Sequence, residues 1–273
     1  MMRLNASRAV SPTLLTGLVG AWCPSLGPSG YTLLDRSGLG THLTWTSPSA
    51  TNWQADSISG WAASTTDSGD FIASTRRIPT TVQGWSVVHW VKARSVAGSA
   101  NSIDLNRGVY SSGNVGPRCE LSSDALWVYS ANTSSTSVTT LHSSGTTLPS
   151  TGIWWMLAIT HDGNVTSKTY QQGIPSGLSQ TNLNGATGGF VGSFEAPRLG
   201  QGSSDANRGF DGLLGASLVF ARQLSDAEVW QLWLQGPQCR LLTQRRRRVY
   251  STAGPAFNAA WASRATTIAG VLR

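Results

Sequence analysis

Few side chains in this sequence can do covalent or acid–base chemistry, and their spacing limits what that chemistry could be. Retaining glycoside hydrolysis needs two carboxylates held about 5 Å apart, one as nucleophile and one as acid. The glutamates are Glu120, Glu195 and Glu228, and none has a second acid two or four residues away within a strand pattern, as a pair on one strand face requires: Asp124 follows Glu120 across Ser122 and Ser123, and Asp226 precedes Glu228 at a helix start. Hydrolysis of that type is therefore not expected. His161 stands beside Asp162, a pair able to move a proton, but a strand end followed by a turn accounts for both and is the preferred reading. No G-x-S-x-G nucleophile turn occurs, so no catalytic residue is assigned and the protein is not expected to be an enzyme. Cys23, Cys119 and Cys239 are far apart and odd in number, which excludes a CxxC metal or redox motif. They are read as buried thiols, with one disulfide as the alternative that spacing cannot place.

Binding chemistry is concentrated at the C-terminal end. Net charge is +7, and much of the excess lies in Arg240, the run Arg245, Arg246, Arg247 and Arg248, then Arg264 and Arg273. Four adjacent guanidinium groups repel one another and gain from a carboxylate- or phosphate-bearing partner. Phe257 and Trp261 lie just beyond, in a stretch with no helical or strand period. Residues 237–273 are accordingly read as a basic tail ordered by a neighbour, with Arg245 to Arg248, Phe257 and Trp261 as partner-binding residues. The rest of the chain is near neutral, so a nucleic-acid partner is not expected.

The elements behind these residues read as strands. Gly is abundant at 30, charged residues make up only 12% and hydrophobic residues 40%, so a folded core under a Ser/Thr/Asn/Gly-rich surface follows. Residues 1–13 form a polar arm. Apolar strands are expected at Gly17 to Cys23, Tyr31 to Leu34, Trp85 to Lys92, Ala125 to Ser130, Ile153 to His161, Thr166 to Gln171 and Gly212 to Ala221. Trp45, Trp53 and Trp61 recur every eight positions, which fits successive strands joined by turns. Core is the preferred place for any single Trp. One helix is expected: Ser225 caps it, Glu228 completes a capping box, Val229, Leu232 and Trp233 share a face, and Gly236 with Pro237 stop it. No stretch approaches the ~20 apolar residues of a membrane span. No export signal is expected either, because Pro12, Gly17 and Gly20 interrupt the mildly apolar Leu14 to Trp22 and Trp22 precedes Cys23.

In this order the pieces resemble the laminin-G-like, concanavalin A-like jelly-roll family found in bacterial and phage surface proteins. Gly17 to Trp22 resembles the family's first strand, and Leu34 to His42 its D-x-S-G-N-G-N-H turn, with Leu39 and Thr41 at two Asn positions. Trp85 to Lys92 resembles its W-V-K strand, and Trp154 to Gly163 its W-H-H-V-A-x-T-Y-D-G hairpin. Phe210 to Leu214 and Ala221 to Ser225 resemble its last strand and helix start. The resemblance implies an all-β, antiparallel two-sheet jelly-roll sandwich over residues 14–236, with one short C-terminal helix.

It also implies a site to weigh. Many members hold calcium through loop oxygens, for which Asp35 and Asp70 are the candidates here. Leu39, Thr41, Gly215 and Ala216 stand where the family supplies oxygen ligands, so no metal or other cofactor is expected and Asp35 is read as holding its own turn. The expected function is structural: a phage-particle protein, as capsid decoration or a tail or fibre component. Its sandwich faces outward and its termini bind other virion proteins or copies of itself. The alternative is a lectin-like module of a bacterial surface or secreted protein that binds host-surface glycan.

Overall fold

The computed structural model describes most of residues 12–238, with its longest breaks at 105–117 and 182–191, together with Leu242. Short 3-10 turns at Pro12–Leu15 and Pro24–Leu26 flank the first strand, β1 (Leu18–Trp22). The first sheet runs in the order β15 (Ile174–Thr181), β14 (Thr166–Gln171), β13 (Trp155–His161), β8 (Trp85–Ala93), β18 (Gly212–Phe220), β5 (Gly60–Thr65) and β4 (Trp53–Asp56), with β1 also paired to β18. The second sheet runs β12 (Val138–Ser144), β11 (Ala125–Ala131), β10 (Arg118–Leu121), β9 (Ala100–Asp104), β17 (Arg198–Leu199), β6 (Ile72–Ala73), β3 (Leu43–Trp45) and β2 (Thr32–Leu33). A two-stranded ribbon joins β7 (Thr81–Val82) to β16 (Gly192–Ser193). The pairings are antiparallel throughout, and the two-sheet sandwich agrees with the expectation from sequence.

Alternation along β8 explains why it is central. Trp85, Val87 and Val91 point into the core between the sheets, where they meet Trp22, Ala63, Leu157, Ile159, Leu214 and Val219 from the same sheet and Leu33, Leu43, Trp45, Ile72 and Leu199 from the other. The opposite set, Ser86, Val88 and Trp90, is also buried. The Ser86 hydroxyl donates to the carbonyl of Arg222 at 2.9 Å and accepts from the amide of Leu224 at 2.9 Å. These bonds hold the approach to helix α1 (Asp226–Gln235) against that outer face, and Val229 and Leu232 are buried there. A strand covered on both faces reads as a nearly unbroken apolar run, as this one does.

The helix starts as its sequence predicts. Ser225 Oγ accepts from the amide of Glu228, and Glu228 Oε2 accepts from the amide of Ser225 at 2.9 Å, which completes the capping box. Arg222 donates to both carboxylate oxygens of Glu228, at 2.9 and 2.6 Å. That guanidinium holds the Glu228 carboxyl down at about 2 against burial, which pushes the other way. Gly236 takes positive φ, 69°, and ends the helix. The first compact unit runs on to Cys239 and the second covers Arg240–Arg273. Pro237 is buried, so the segment read as the start of the tail still packs on the sandwich.

One expectation is overturned. Cys23, read as a buried thiol, is disulfide-bonded. Odd cysteine number says that one thiol is left over, but not which residues are brought together, and sequence spacing carries no information on that distance.

Candidate functional site

Asp35 sits at the mouth of the turn after β2 and organises it. Its Oδ1 accepts from the amides of Ala21 at 3.1 Å and Ser37 at 2.8 Å, and its Oδ2 from the Ser37 hydroxyl at 2.9 Å and the amide of Thr41 at 3.0 Å. Its own amide donates to His42 Nδ1 at 3.0 Å. Each carboxylate oxygen is occupied by two hydrogen-bond donors, so Asp35 holds its own turn, as read from the sequence, and through Ala21 also fastens β1 to it, which was not expected. Asp70 accepts from the Thr66 hydroxyl at 3.4 Å. Among the described residues no group of three or more His, Cys, Asp or Glu is placed to hold a metal, and Asp35 and Asp70 are not brought into one ligand set.

His161 closes β13 and stacks on Trp85, with ring centroids 5.4 Å apart and planes 7° apart. Its Nδ1 is 3.8 Å from Asp162 Oδ1, beyond hydrogen-bond reach. Burial lowers its pKa despite the opposing carboxylate of Asp162. A strand end packed on a core indole is what the residues form. Arg245 to Arg248, Phe257 and Trp261 lie outside the described residues.

Two arrangements on the β4–β5 hairpin were not singled out from sequence. On its outer face, Asp56 accepts from Lys92 Nζ at 2.7 Å, the Trp154 indole at 2.9 Å and the amides of Ile58 and Ser59, each at 2.9 Å. Burial pushes its carboxyl up, but the Lys92 ammonium and these donors outweigh burial and hold it well below the usual carboxylate range. Nearby, Arg94 donates to Gln54 Oε1 at 3.2 Å, to Asp211 Oδ1 at 3.1 Å and to the Ser64 hydroxyl. Asp56 and Asp211 each meet a cation, so the face is held in place.

The other face of the hairpin carries aromatic rings. Trp53 pairs with Ala63 and Trp61 with Ala55, which makes Trp53 and Trp61 diagonal cross-strand neighbours within reach of each other's rings. Trp53 packs edge-on against Trp45 of β3, with centroids 5.6 Å apart, and its indole N–H donates to the carbonyl of Gly30 at 2.8 Å. Tyr31, the next residue, is 47% exposed, and Trp61 is 46% exposed. Trp53 thus ties β4 to Gly30, just before β2, and to Trp45 of β3 along one seam of the sandwich, with Trp45 buried, Trp53 half-buried and Tyr31 and Trp61 exposed. The core reading holds for Trp22, Trp45, Trp85 and Trp90, whereas Trp61 and Trp230 are exposed. The eight-residue spacing placed the three indoles on successive strands, but not which of them reaches the surface. That depends on where the hairpin runs past the facing sheet.

Such a seam offers apolar ring faces, with the fixed polar groups of Asp56 and Arg94 on the opposite face of the hairpin. It suits a ligand with C–H faces.

A family model described as the concanavalin A-like lectin/glucanases superfamily matches residues 65–230. No curated protein matches the sequence. Among solved structures, domain 4 of AbnA, an extracellular arabinanase of Geobacillus stearothermophilus in complex with arabinotriose, is similar over 79% of this chain and 97% of that one, with 20% identity and a TM-score of 0.57. The ligand-binding domain of botulinum neurotoxin serotype D in complex with N-acetylneuraminic acid is similar over 80% of this chain, with 15% identity and a TM-score of 0.54. The receptor-binding domain of botulinum neurotoxin D gives 15% identity and a TM-score of 0.56 over 81% of this chain. This chain spans about half the length of the neurotoxin domains, 51% and 53%. At these identities the likeness is one of fold: a concanavalin-like jelly-roll sandwich.

Proposed function

The chain belongs to the concanavalin A-like lectin/glucanases superfamily, and on that premise we propose that its sandwich is a non-catalytic carbohydrate-binding module. The observation that carries this reading is the aromatic seam, where Trp61 presents its ring beside Trp53 with Tyr31 exposed close by. A pyranose or furanose ring lays its C–H face on an indole. The carboxylates favour binding over hydrolysis. A general acid needs a carboxyl pushed upward, whereas Asp56, Asp226 and Glu228 are all held downward by donors. The AbnA domain with its bound arabinotriose and the neurotoxin domain with its bound sialic acid support sugar as the ligand class.

The test is titration of the protein with arabino-oligosaccharides and sialyl-oligosaccharides, followed by an oligosaccharide array. Binding that disappears in Trp61→Ala with an unchanged melting temperature is expected. Equal binding by Trp61→Ala and the parent chain would sink the assignment of the seam.

A second reading concerns the setting of the module: display on a phage particle, as capsid decoration or part of a tail or fibre, with the termini as assembly elements. It rests on the 12% charged fraction and on the arginine run at Arg245 to Arg248. Co-sedimentation of the protein with assembled particles tests it, and recovery only with host-cell envelope would favour a bacterial surface module instead.

A further inference from the structure

Past Gly236 the chain turns back across the outer face of the first sheet. A Cβ placed on Gly215 of β18 would lie 3.0 Å from the Trp154 ring, 3.1 Å from Trp90 Cβ and 3.2 Å from Pro237 Cβ, so Pro237 packs where a glycine leaves room. One residue on, the carbonyl of Gln238 accepts from the Ser25 hydroxyl at 2.7 Å, and its side-chain amide donates to the carbonyl of Ile58 in the β4–β5 turn. Ser25 lies two residues beyond Cys23, which is 1% exposed and disulfide-bonded.

The sequence offers Cys23 two partners, Cys119 and Cys239. Cys119 belongs to β10. Cys23 follows Trp22, which bridges to Asp35 just past β2, the edge strand of the second sheet. Strands β9, β17, β6 and β3 lie between β10 and β2. Five inter-strand steps of about 4.8 Å amount to on the order of 20 Å, whereas a disulfide joins Cα atoms about 4.4–6.8 Å apart. Cys239 is covalently next to Gln238, whose carbonyl already holds Ser25.

We infer that Cys23 is joined to Cys239, and that this bond is a covalent clamp which, through Gln238, holds the turn at residues 57–59 of the hairpin that carries Trp61. The clamp is redox-sensitive in a defined way. A dithiol supplies two electrons and two protons and leaves as its own disulfide, while Cys23 and Cys239 become thiols. Opening it releases the residue that contacts Ile58, and with it one support of the aromatic seam.

Two measurements on the full chain decide the matter. Peptide mapping without reduction is expected to recover Cys23 cross-linked to Cys239. A Cys23–Cys119 cross-link, or Cys23 alkylated as a thiol, overturns the pairing. Hydrogen exchange at the amides of Ile58 and Ser59, which donate to Asp56, is expected to quicken about tenfold in Cys239→Ser. Gln238→Ala keeps the disulfide and is expected to quicken the same amides, which covers the case in which Cys239→Ser does not fold. Unchanged exchange in Gln238→Ala overturns the clamp. The effect on sugar binding rests on the carbohydrate reading above. If the cross-link and the exchange behave as expected while oligosaccharide affinity stays constant in Gln238→Ala, the clamp stands without a part in sugar binding, and Trp61→Ala alone decides the seam.

Discussion

Lys92 Nζ lies 2.7 Å from Asp56 Oδ2, and this ion pair joins the central strand β8 to the edge hairpin β4–β5 across the outer face of the first sheet. The Asp56 side chain is 6% exposed and Lys92 is 25% exposed. Solvent therefore screens the pair only in part.

Replacing Asp56 with Asn should cost about 1–3 kcal/mol, because Lys92 and the Trp154 indole lose a charged acceptor. The folded-state pKa of Asp56 is depressed, so its contribution is present above the ordinary carboxylate range and is lost as pH falls from that range toward the depressed folded value. Urea melts at neutral and acid pH check this: the parent chain should lose stability on acidification more steeply than Asp56→Asn. Parallel curves would show that the pair contributes nothing.

His89 predicts a second pH effect of separate origin. It shares a 2.7 Å hydrogen bond with Ser217 in the core, and its Nε2 has no hydrogen-bond partner among the described residues. Its pairing neighbours on either side, Leu157 and Ser217, are uncharged. Burial lowers its pKa from 6.5 to about 3, so between those values the unfolded chain binds the proton and the folded one does not. Stability from this group is full above pH 6.5 and falls as pH drops toward 3. The double variant His89→Leu with Ser217→Ala should flatten the melting temperature over that window. A slope unchanged from the parent would assign the effect to other groups.

Gly20 is required by its neighbour on the same strand face. A Cβ there would stand 2.6 Å from the ring of Trp22, and that ring is fixed by donation from its indole N–H to the carbonyl of Thr41 at 2.7 Å. Gly20→Ala should destabilise by about 1–3 kcal/mol, the usual cost of overpacking a filled core. A denaturation midpoint equal to that of the parent would mean that Trp22 can move aside.

The tail can be removed at a better-defined place than its sequence suggests. Ending the chain after Cys239 keeps Pro237 and Gln238 and should leave the melting temperature of the sandwich unchanged, while association with copies or other proteins, read by sedimentation, is lost. Unfolding of this shortened chain would make residues 240–273 part of the core instead.

These residues also show what was legible beforehand. Strands β1, β8, β13, β14 and β18 of the first sheet and the helix could be read because alternation, turn residues and the Ser225–Glu228 cap are local signals, whereas β15 was not marked out. Asp35 was legible for the same reason, since its partners Ser37 and Thr41 lie within six residues. Short strands such as β6 and β17 carry two residues each, too few to show a period. The network at Asp56 joins Lys92 and Trp154 across separations of 36 and 98 residues, and nothing in spacing announces such a meeting. The disulfide at Cys23 escaped for the same reason.

The pairing of β1 with β18 has a mechanical consequence. The chain enters the sandwich at Leu18, which faces Phe220, and it leaves near Ser25, where Gln238 is held. With Cys23 joined to Cys239, tension applied to the two ends of this unit runs lengthwise along β1 and across that bond, and the ladder to β18 is spared. With the bond open, the same pull loads the ladder in shear and reaches the turn at Ile58 through Gln238.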